Sequence, residues 1–295
     1  MRGVTTDTQT WLAARDYLRA RSDDFFLRLT RARETFDAEA IHDLRVSSRR
    51  LREGITLFSH CFRKRQFSPI SKELKSLTSM LGAIRNTDEA LLFFMPLARE
   101  GGTETAAAVM NVVAVLQETR GEEQRKLKRE LKKIDPGALL GRIDEICSNP
   151  RIFNPSANNL FQPVADFLLE SVSVRESALL ELLPEALVEE NIAAQHRLRI
   201  AVKRFRYRLE FLAPLARDDY KGVYGTVKEY QDVLGQMHDL DVFSGLSGDM
   251  TRAGGGADLV QKIIRERRRA LFADFARLQG THPLDELGNR VRGLL

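Results

Sequence analysis

The sequence predicts an all-α protein built from two related halves. Three observations lead to this fold class: apolar residues recur at helical spacing, no segment shows the sustained alternation of apolar and polar residues that marks a β-strand, and one helical pattern occurs twice. One clear example of helical spacing is the set Val109, Val112, Val113 and Leu116. We therefore assign no strands.

Helix starts are indicated at three points along the chain. Asp37, Ser68 and Thr103 each have a short oxygen-bearing side chain that can accept a hydrogen bond from a backbone amide of the first turn. Ser68 is followed by Pro69, a residue that suits the first helical position, and Thr103 is followed by an acidic residue. We expect a helix to begin at each of these points.

An internal repeat decides the organisation of the chain. Residues 41–52, which read Ile-His-Asp-Leu-Arg-Val-Ser-Ser-Arg-Arg-Leu-Arg, align at an offset of 154 with residues 195–206, which read Gln-His-Arg-Leu-Arg-Ile-Ala-Val-Lys-Arg-Phe-Arg. A weaker match at an offset of 153 pairs residues 75–88 with residues 228–241. Two matches in the same order, at nearly the same offset, indicate a duplication.

The division between the two halves should fall in residues 148–159, where two Asn-Pro pairs interrupt any helix. We accordingly divide the chain into an N-terminal helical half, 1–150, and a C-terminal helical half, 151–295. The glycine run at 254–256 predicts a loop. It is not a phosphate-binding P-loop, because it lacks the Lys-Ser/Thr pair and follows no strand.

Basic charge is concentrated in the repeated helix. The whole chain carries a net charge of +5, residues 41–58 carry +2 and residues 195–212 carry +5, so the remaining residues are net −2. Such a concentration points to an anionic partner. A further basic run, Arg265–Arg269, has no counterpart at the repeat offset, and we expect it to be a solvated face.

Each copy of the repeated segment has an apolar face and a basic flank when it is placed on a helix of about 100° per residue. The apolar faces hold Leu44, Leu51, Ile55 and Phe58 in the first copy and Leu198, Phe205, Leu209 and Leu212 in the second. The basic flanks hold His42, Arg45, Arg49 and Arg52 in the first copy and His196, Arg199, Lys203 and Arg206 in the second. Arg50 and Arg204 point elsewhere on the helix.

Two interpretations of these flanks remain open from the residues alone. An amphipathic packing helix with a solvated flank normally mixes charges of both signs, because pairs one turn apart stabilise it. The first flank has no carboxylate across three turns, and like charges on one face repel one another unless an anion neutralises them. In the second flank, Glu210 could pair with Arg206. Binding of an anion is therefore the favoured interpretation.

The second shared motif, Leu-Gly-x-x-[Arg/His]-x-x-Asp, also leaves two interpretations open. Arg85 and His238 could extend the basic surface inward. They could instead form ion pairs with Asp88 and Asp241, which lie three residues later on the same helices. The ion pair is favoured for Arg85.

The doubled pattern His-x-Leu-Arg-[Val/Ile]-x-x-[Arg/Lys]-Arg-[Leu/Phe]-Arg, with the Leu-Gly motif after each copy, resembles the CHAD family, the conserved histidine α-helical domain. The resemblance extends from about Thr8 to the C-terminus. It implies two four-helix bundles related by a pseudo-twofold axis, with a basic channel or groove between them. It also implies binding of inorganic polyphosphate and association with polyphosphate granules.

The binding residues implied by the resemblance are those that match the motif: His42, Arg45, Arg49, Arg50, Arg52, His196, Arg199, Lys203, Arg204 and Arg206. Lys75, Arg85 and Lys228 of the second motif are further candidates. His238 stands where the family has an arginine, which puts the contribution of that position in doubt. Whether His42 and His196 contact the ligand or support the fold stays open.

An enzyme is one competing interpretation, since His42-Asp43 and His238-Asp239 superficially resemble the ligands of metal-dependent phosphohydrolases. Such a site needs several more histidine and aspartate ligands on neighbouring helices, and the remaining histidines are only His60, His196 and His282. The chain also lacks the Glu-x-Glu-x-Lys motif of the triphosphate-hydrolysing domain that often accompanies CHAD proteins. We expect no catalytic residue, no metal site and no cofactor.

Nucleic-acid binding is the other competing interpretation, because phosphate contacts alone do not distinguish one polyanion from another. Stacking with bases would require aromatic side chains among the basic residues, and only Tyr207 meets that condition.

The remaining features predict a cytoplasmic protein with no membrane partner. Cys61 and Cys147 show neither metal-ligand spacing nor a disulfide framework. The first 20 residues lack the apolar core of a signal peptide, and the longest uncharged apolar run, 90–98, is too short to span a bilayer. Oligomeric state and the preferred length of the polyphosphate chain are left open.

Overall fold

The structure, a computed structural model, describes residues 4–100, 103–149, 160–216, 219–250 and 257–294. Within these ranges it contains ten α-helices and no β-strand, so the predicted all-α class is confirmed. The helices are α1 (Thr10–Glu34), α2 (Ala38–Leu57), α3 (Lys64–Glu100), α4 (Thr103–Lys133), α5 (Pro136–Ser148), α6 (Val164–Ala186), α7 (Ile192–Leu212), α8 (Tyr220–Met250), α9 (Ala257–Thr281) and α10 (Leu284–Arg292). A short 3-10 helix, Ser59–Cys61, lies between α2 and α3.

The chain forms two compact units that are each made from two segments. The first unit comprises residues 1–85 and 119–167, and the second comprises residues 86–118 and 168–295. The long helices α3 and α4 each contribute to both units. These units follow from contacts and not from the internal repeat, so the division of the repeat near residue 150 stays a prediction, and the segment 150–159 lies outside the described residues.

In the first unit, α2 packs closely against α1. Gly54 of α2 makes this approach feasible, because a Cβ atom at that position would lie 2.5 Å from Cε1 of Tyr17. Aromatic rings fill the space at the end of α2, where Phe58 contacts Tyr17 and Phe167 at centroid distances of 6.0 and 5.8 Å. Burial of these rings contributes to holding α2 in the unit.

In the second unit, the segment 86–118 packs against α8 and α9 in one apolar cluster. Phe93 and Phe94 of α3 contact the ring of Phe243 at 5.0 and 5.7 Å. The four residues that predicted a helix at 109–116 are all buried in the same cluster: Val109, Val112, Val113 and Leu116. Their helical spacing therefore reflects one buried face, as the sequence predicts.

The N-caps of α2 and α7 are repeat counterparts. The Asp37 carboxylate accepts a hydrogen bond from the Ala40 amide at 2.7 Å, which confirms the predicted start of α2. Asn191, at the repeat offset of 154 from Asp37, accepts one from the Ala194 amide at 3.1 Å. Each cap satisfies a backbone donor that the first turn leaves without an intrahelical partner.

The predicted start at Thr103 is confirmed, since α4 begins there, but the one at Ser68 is wrong. Helix α3 begins at Lys64, so Pro69 lies beyond the first turn and removes one backbone hydrogen bond. The earlier start is stabilised by Phe67, which is buried against Phe62 at a centroid distance of 5.3 Å. The glycine run 254–256 lies outside the described residues.

Candidate functional site

The repeated helix buries its apolar face in both copies. In α2 the residues Leu44, Leu51, Ile55 and Phe58 are buried, and in α7 the residues Leu198, Phe205, Leu209 and Leu212 are completely buried. The predicted faces are therefore confirmed. Because the face of each helix is fixed by this burial, the neighbouring flank keeps a fixed direction within its own unit.

The flank of α2, His42 to Arg52, reaches the surface of the first unit. His42 is exposed, and Arg45, Arg49 and Arg50 are half-buried. Arg52 is held more firmly, since its Nη1 donates to the Thr78 hydroxyl of α3 at 2.7 Å.

Both carboxylates of the segment 41–58 are engaged in ion pairs. The Asp43 carboxylate accepts from Nη1 of Arg28 at 2.6 Å and lies 3.8 Å from Nη1 of Arg31, both on α1. The Glu53 carboxylate lies 3.4 Å from Nη2 of Arg52. Arg28 and Arg31 of α1 thus neutralise the charge of Asp43, although neither belongs to the flank. The repeat alone could not indicate these two ion pairs.

The flank of α7 is more deeply packed. Arg199 and Lys203 are half-buried and Arg204 is exposed. Arg206, by contrast, is only 8% exposed, with Nη2 3.6 Å from the Glu210 carboxylate and its guanidinium over the ring of Tyr224 at 5.8 Å. The predicted Arg206–Glu210 pair is confirmed, and this arginine is held by the protein itself.

The last arginine of each flank contacts the helix that follows in the repeat. Arg52 donates to Thr78 of α3, and Nη1 of Arg206 lies 3.4 Å from the Tyr224 hydroxyl of α8. The exposed motif lysines, Lys75 and Lys228, lie one turn along α3 and α8 from these two hydroxyls. Each unit therefore associates its basic flank with the helix that carries the motif lysine.

Thr78 and Tyr224 contact the last arginine of each flank, and the sequence did not indicate either contact. They do not occupy equivalent positions of the repeat, because Thr78 aligns with Gln231 at the offset of 153. Only the packing of the helices shows that both receive a flank arginine. Arg85, the remaining candidate of the second motif, is exposed on α3.

His238 of α8 contacts His196 of α7. Their Nδ1 atoms are 3.1 Å apart, and the ring centroids are 4.4 Å apart. Burial, together with the smaller effects of the charges of Arg199 and His196, lowers the pKa of His238 to about 4. His238 is therefore neutral at physiological pH, and the structure places it beside the second flank.

Of the two interpretations left open for His238, the pairing with Asp241 is not the one that forms. Asp241 instead accepts a hydrogen bond from Nε of Arg268 on α9 at 2.6 Å. Arg268 is also the exception to the expectation that the run Arg265–Arg269 is a solvated face, since its side chain is only 12% exposed. A guanidinium from α9 reaches Asp241 because α8 and α9 pack along their lengths.

Among the described residues, no group of three or more histidine, cysteine, aspartate or glutamate side chains is arranged to hold a metal ion. The described part of the chain also contains no helix long and apolar enough to span a membrane.

A basic flank beside a buried apolar face is thus present in both units. The family model of the CHAD domain matches residues 16–247. The chain belongs to the CHAD family. This confirms the resemblance that the doubled motif indicated, and the match covers most of both copies of the repeat.

Two solved structures share the fold of this chain. PptA from Streptomyces chartreusis superposes with a TM-score of 0.73 at 16% identity, over 92% of this chain and 100% of that one. The CHAD domain from the plant Ricinus communis superposes with a TM-score of 0.69 at 21% identity, over 94% of this chain and 92% of that one. A search of curated proteins finds no match to the sequence.

Proposed function

We propose that this protein binds inorganic polyphosphate through the basic flanks of α2 and α7 and carries out no catalysis. One observation carries the proposal: the same helix, in both copies, buries its apolar face and keeps arginine and lysine at the surface of its unit. Membership of the CHAD family supports it. The proposed binding residues are those of the two flanks with Arg50, Arg204, Lys75, Arg85 and Lys228.

The chemistry of the flanks suits a linear chain of phosphates. Residues four apart on a helix are separated by about 6 Å along the axis, so a polyanion that follows the flank meets a cation at each turn. Guanidinium groups remain charged at any physiological pH and form two parallel hydrogen bonds with phosphate oxygens. The Arg45–Arg49 pair of α2 provides that spacing, and Arg199–Lys203 provides it in α7.

Both copies of the repeated helix are part of the proposal. We propose that one chain of inorganic polyphosphate contacts the flank of α2 and the flank of α7. We further propose a cytoplasmic location at polyphosphate granules.

Nucleic acid is the competing partner, and Tyr207, the aromatic residue within the second copy of the motif, does not support it. Tyr207 is 3% exposed, so its ring is not accessible for stacking with a base. Stacking contributes about 1–3 kcal/mol per base in proteins that bind single strands. Phosphate contacts made without such stacking favour the ligand with the densest phosphate charge.

A comparative titration tests the proposal. Polyphosphate, single-stranded DNA and RNA are titrated into the protein at matched phosphate concentration and salt, with binding followed by calorimetry. We expect polyphosphate to bind at least about tenfold more tightly than either nucleic acid, a difference of about 1.4 kcal/mol. Equal affinities would favour a general polyanion-binding surface, and tighter binding of DNA or RNA would overturn the proposal.

A further inference from the structure

The imidazole pair of the second unit has no equivalent in the sequence of the first copy. His196 and His238 correspond, at offsets of 154 and 153, to His42 and Arg85. Both of these aligned positions are thus histidine only in the second copy, where the two Nδ1 atoms lie at hydrogen-bonding distance, 3.1 Å.

The contact between two Nδ1 atoms restricts the protons that the pair can carry. One ring must donate from its Nδ1–H and the other must accept with a lone pair on Nδ1. One additional proton, placed on the outer nitrogen of the donor ring or shared between the rings, preserves this hydrogen bond and makes it charge-assisted. Two cationic rings would direct N–H towards N–H and break it. The pair can therefore gain one positive charge without rearrangement.

The charged groups around the pair come from three helices and the segment before α7. Arg199 follows His196 by one turn on α7, and its charge disfavours a proton on His238. On α8, Asp239 is the next residue after His238, and Asp241 is bonded by Arg268 of α9. Arg268 also donates to the side chain of Gln195, the neighbour of His196.

The segment that precedes α7 completes these surroundings. The backbone carbonyl of Glu189 lies 3.4 Å from Nη1 of Arg268, and its carboxylate lies 3.6 Å from Nε of Arg269. Arg268 therefore pairs with Asp241, Arg269 lies near the Glu189 carboxylate, and the charge of Arg199 lowers the pKa of His238.

We infer that His238 is a further binding residue of the phosphate surface, and that His196 and His238 together take up one proton when the polyanion binds. The inference rests on the proposed function. Phosphates that engage Arg199 offset the positive charge that disfavours a proton on His238, and the protonated pair then attracts the same anion. His238 thus supplies a positive charge to the polyanion only at low pH, whereas an arginine at this position would supply one at every physiological pH.

The direction of the pH dependence follows from linkage. Burial places the pKa of His238 at about 4 without ligand, and a bound polyanion raises it. Between these two pKa values the complex holds a proton that the unbound protein lacks, so affinity rises as pH falls. At pH values above the pKa of His238 in the complex, no proton is taken up and the histidine pair adds nothing to the affinity.

Calorimetry of the full chain with polyphosphate tests this inference. Titrations near pH 6, in two buffers that differ in their heat of ionisation, report the number of protons taken up. We expect the wild type to take up about one proton more than His238→Gln, and to gain roughly tenfold more affinity than that variant between about pH 7.5 and pH 5.5. His238→Arg should bind tightly with the smaller pH dependence of His238→Gln.

The matched control is His282→Gln, which removes an exposed imidazole elsewhere in the same unit. It should keep the pH dependence of the wild type. A variant-independent measurement uses the imidazole resonances of the wild type, which has five histidines. Two of them should titrate together, and their midpoint should rise when polyphosphate is added.

The outcomes separate this inference from the proposed function. If polyphosphate binds but the midpoint does not move, or if His238→Gln keeps the full pH dependence, the inference is overturned and the proposed function stands. If polyphosphate does not bind at any pH, both are overturned.

Discussion

Arg268 of α9 and Asp241 of α8 form an ion pair with an Nε–Oδ1 distance of 2.6 Å, and their side chains are only 12% and 19% exposed. The guanidinium also donates to the Gln195 side chain, and its Nη1 atom lies 3.4 Å from the carbonyl oxygen of Glu189. This single side chain therefore connects α9 to α8, to α7 and to the segment before α7. It supports the position of the helix that carries His196 and Arg199.

Loss of this guanidinium should destabilise the second unit. In Arg268→Ala the Asp241 carboxylate stays largely buried without its cation, and breaking such a pair costs about 3 kcal/mol of unfolding free energy. Denaturant unfolding measures the change. The control is Arg269→Ala, whose side chain is 83% exposed and whose loss should change stability by less than about 0.5 kcal/mol. Equal losses in the two variants would contradict a structural role for Arg268.

The flank arginines should matter for binding beyond their charge. Arg45→Ala combined with Arg199→Ala removes one guanidinium from each copy of the repeated helix. Each lost charge-assisted hydrogen bond is worth roughly 1.5–3 kcal/mol, so affinity for polyphosphate should fall by about a hundredfold or more. Calorimetric titration gives the affinities, and circular dichroism checks that the helices persist.

The control for that double variant must remove equal charge from each unit without removing a structural contact. The run Arg265–Arg269 does not supply two such residues, because Arg268 is buried and Arg267 lies over the ring of Phe93 at 5.1 Å. Arg129→Ala with Arg265→Ala is suitable, since both residues are exposed and lie outside the repeat. It should weaken binding only a few-fold, because long-range attraction is screened beyond about 8 Å at physiological salt.

Affinity for polyphosphate should decrease steeply with salt. Cations that neutralise phosphates release condensed counterions, and the relation established for DNA gives roughly a hundredfold loss between about 50 and 200 mM salt when about four phosphates are contacted. Titrations at several salt concentrations measure the slope, which should be shallower in Arg45→Ala with Arg199→Ala. Affinity that is independent of salt would contradict an electrostatic surface.

The side chain of Asn191 should contribute to the stability of α7. Its removal in Asn191→Ala leaves the Ala194 amide without its acceptor and should lower the unfolding free energy by about 1 kcal/mol. Asn191→Ser provides an equivalent acceptor and should restore most of it. If the serine variant were as unstable as the alanine variant, the hydrogen bond would not explain the effect.

The sequence by itself determined the all-α class, the family and the identity of the two basic helices. These properties depend on local periodicity: Leu44, Leu51 and Ile55 recur with the period of a helix and are buried, and the same period separates Arg45 from Arg49. The start of α2 at Asp37 was equally local, since a cap is formed within one turn. Pro69 misled the prediction of α3 because burial of Phe67, a contact outside the local sequence, stabilises an earlier start.

Only the tertiary structure decided which basic residues are held by the protein and which reach the surface. The sequence gives Arg206 and Arg199 equivalent places on one flank, yet Glu210 and Tyr224 hold Arg206 in a buried site and Arg199 stays half-buried beside the imidazole pair. The sequence left Asp241, three residues away, open as a partner for His238, but Arg268 from α9 pairs with that carboxylate. The physical reason is that charge pairing depends on distance in space, and helix packing brings together residues that lie far apart in the chain.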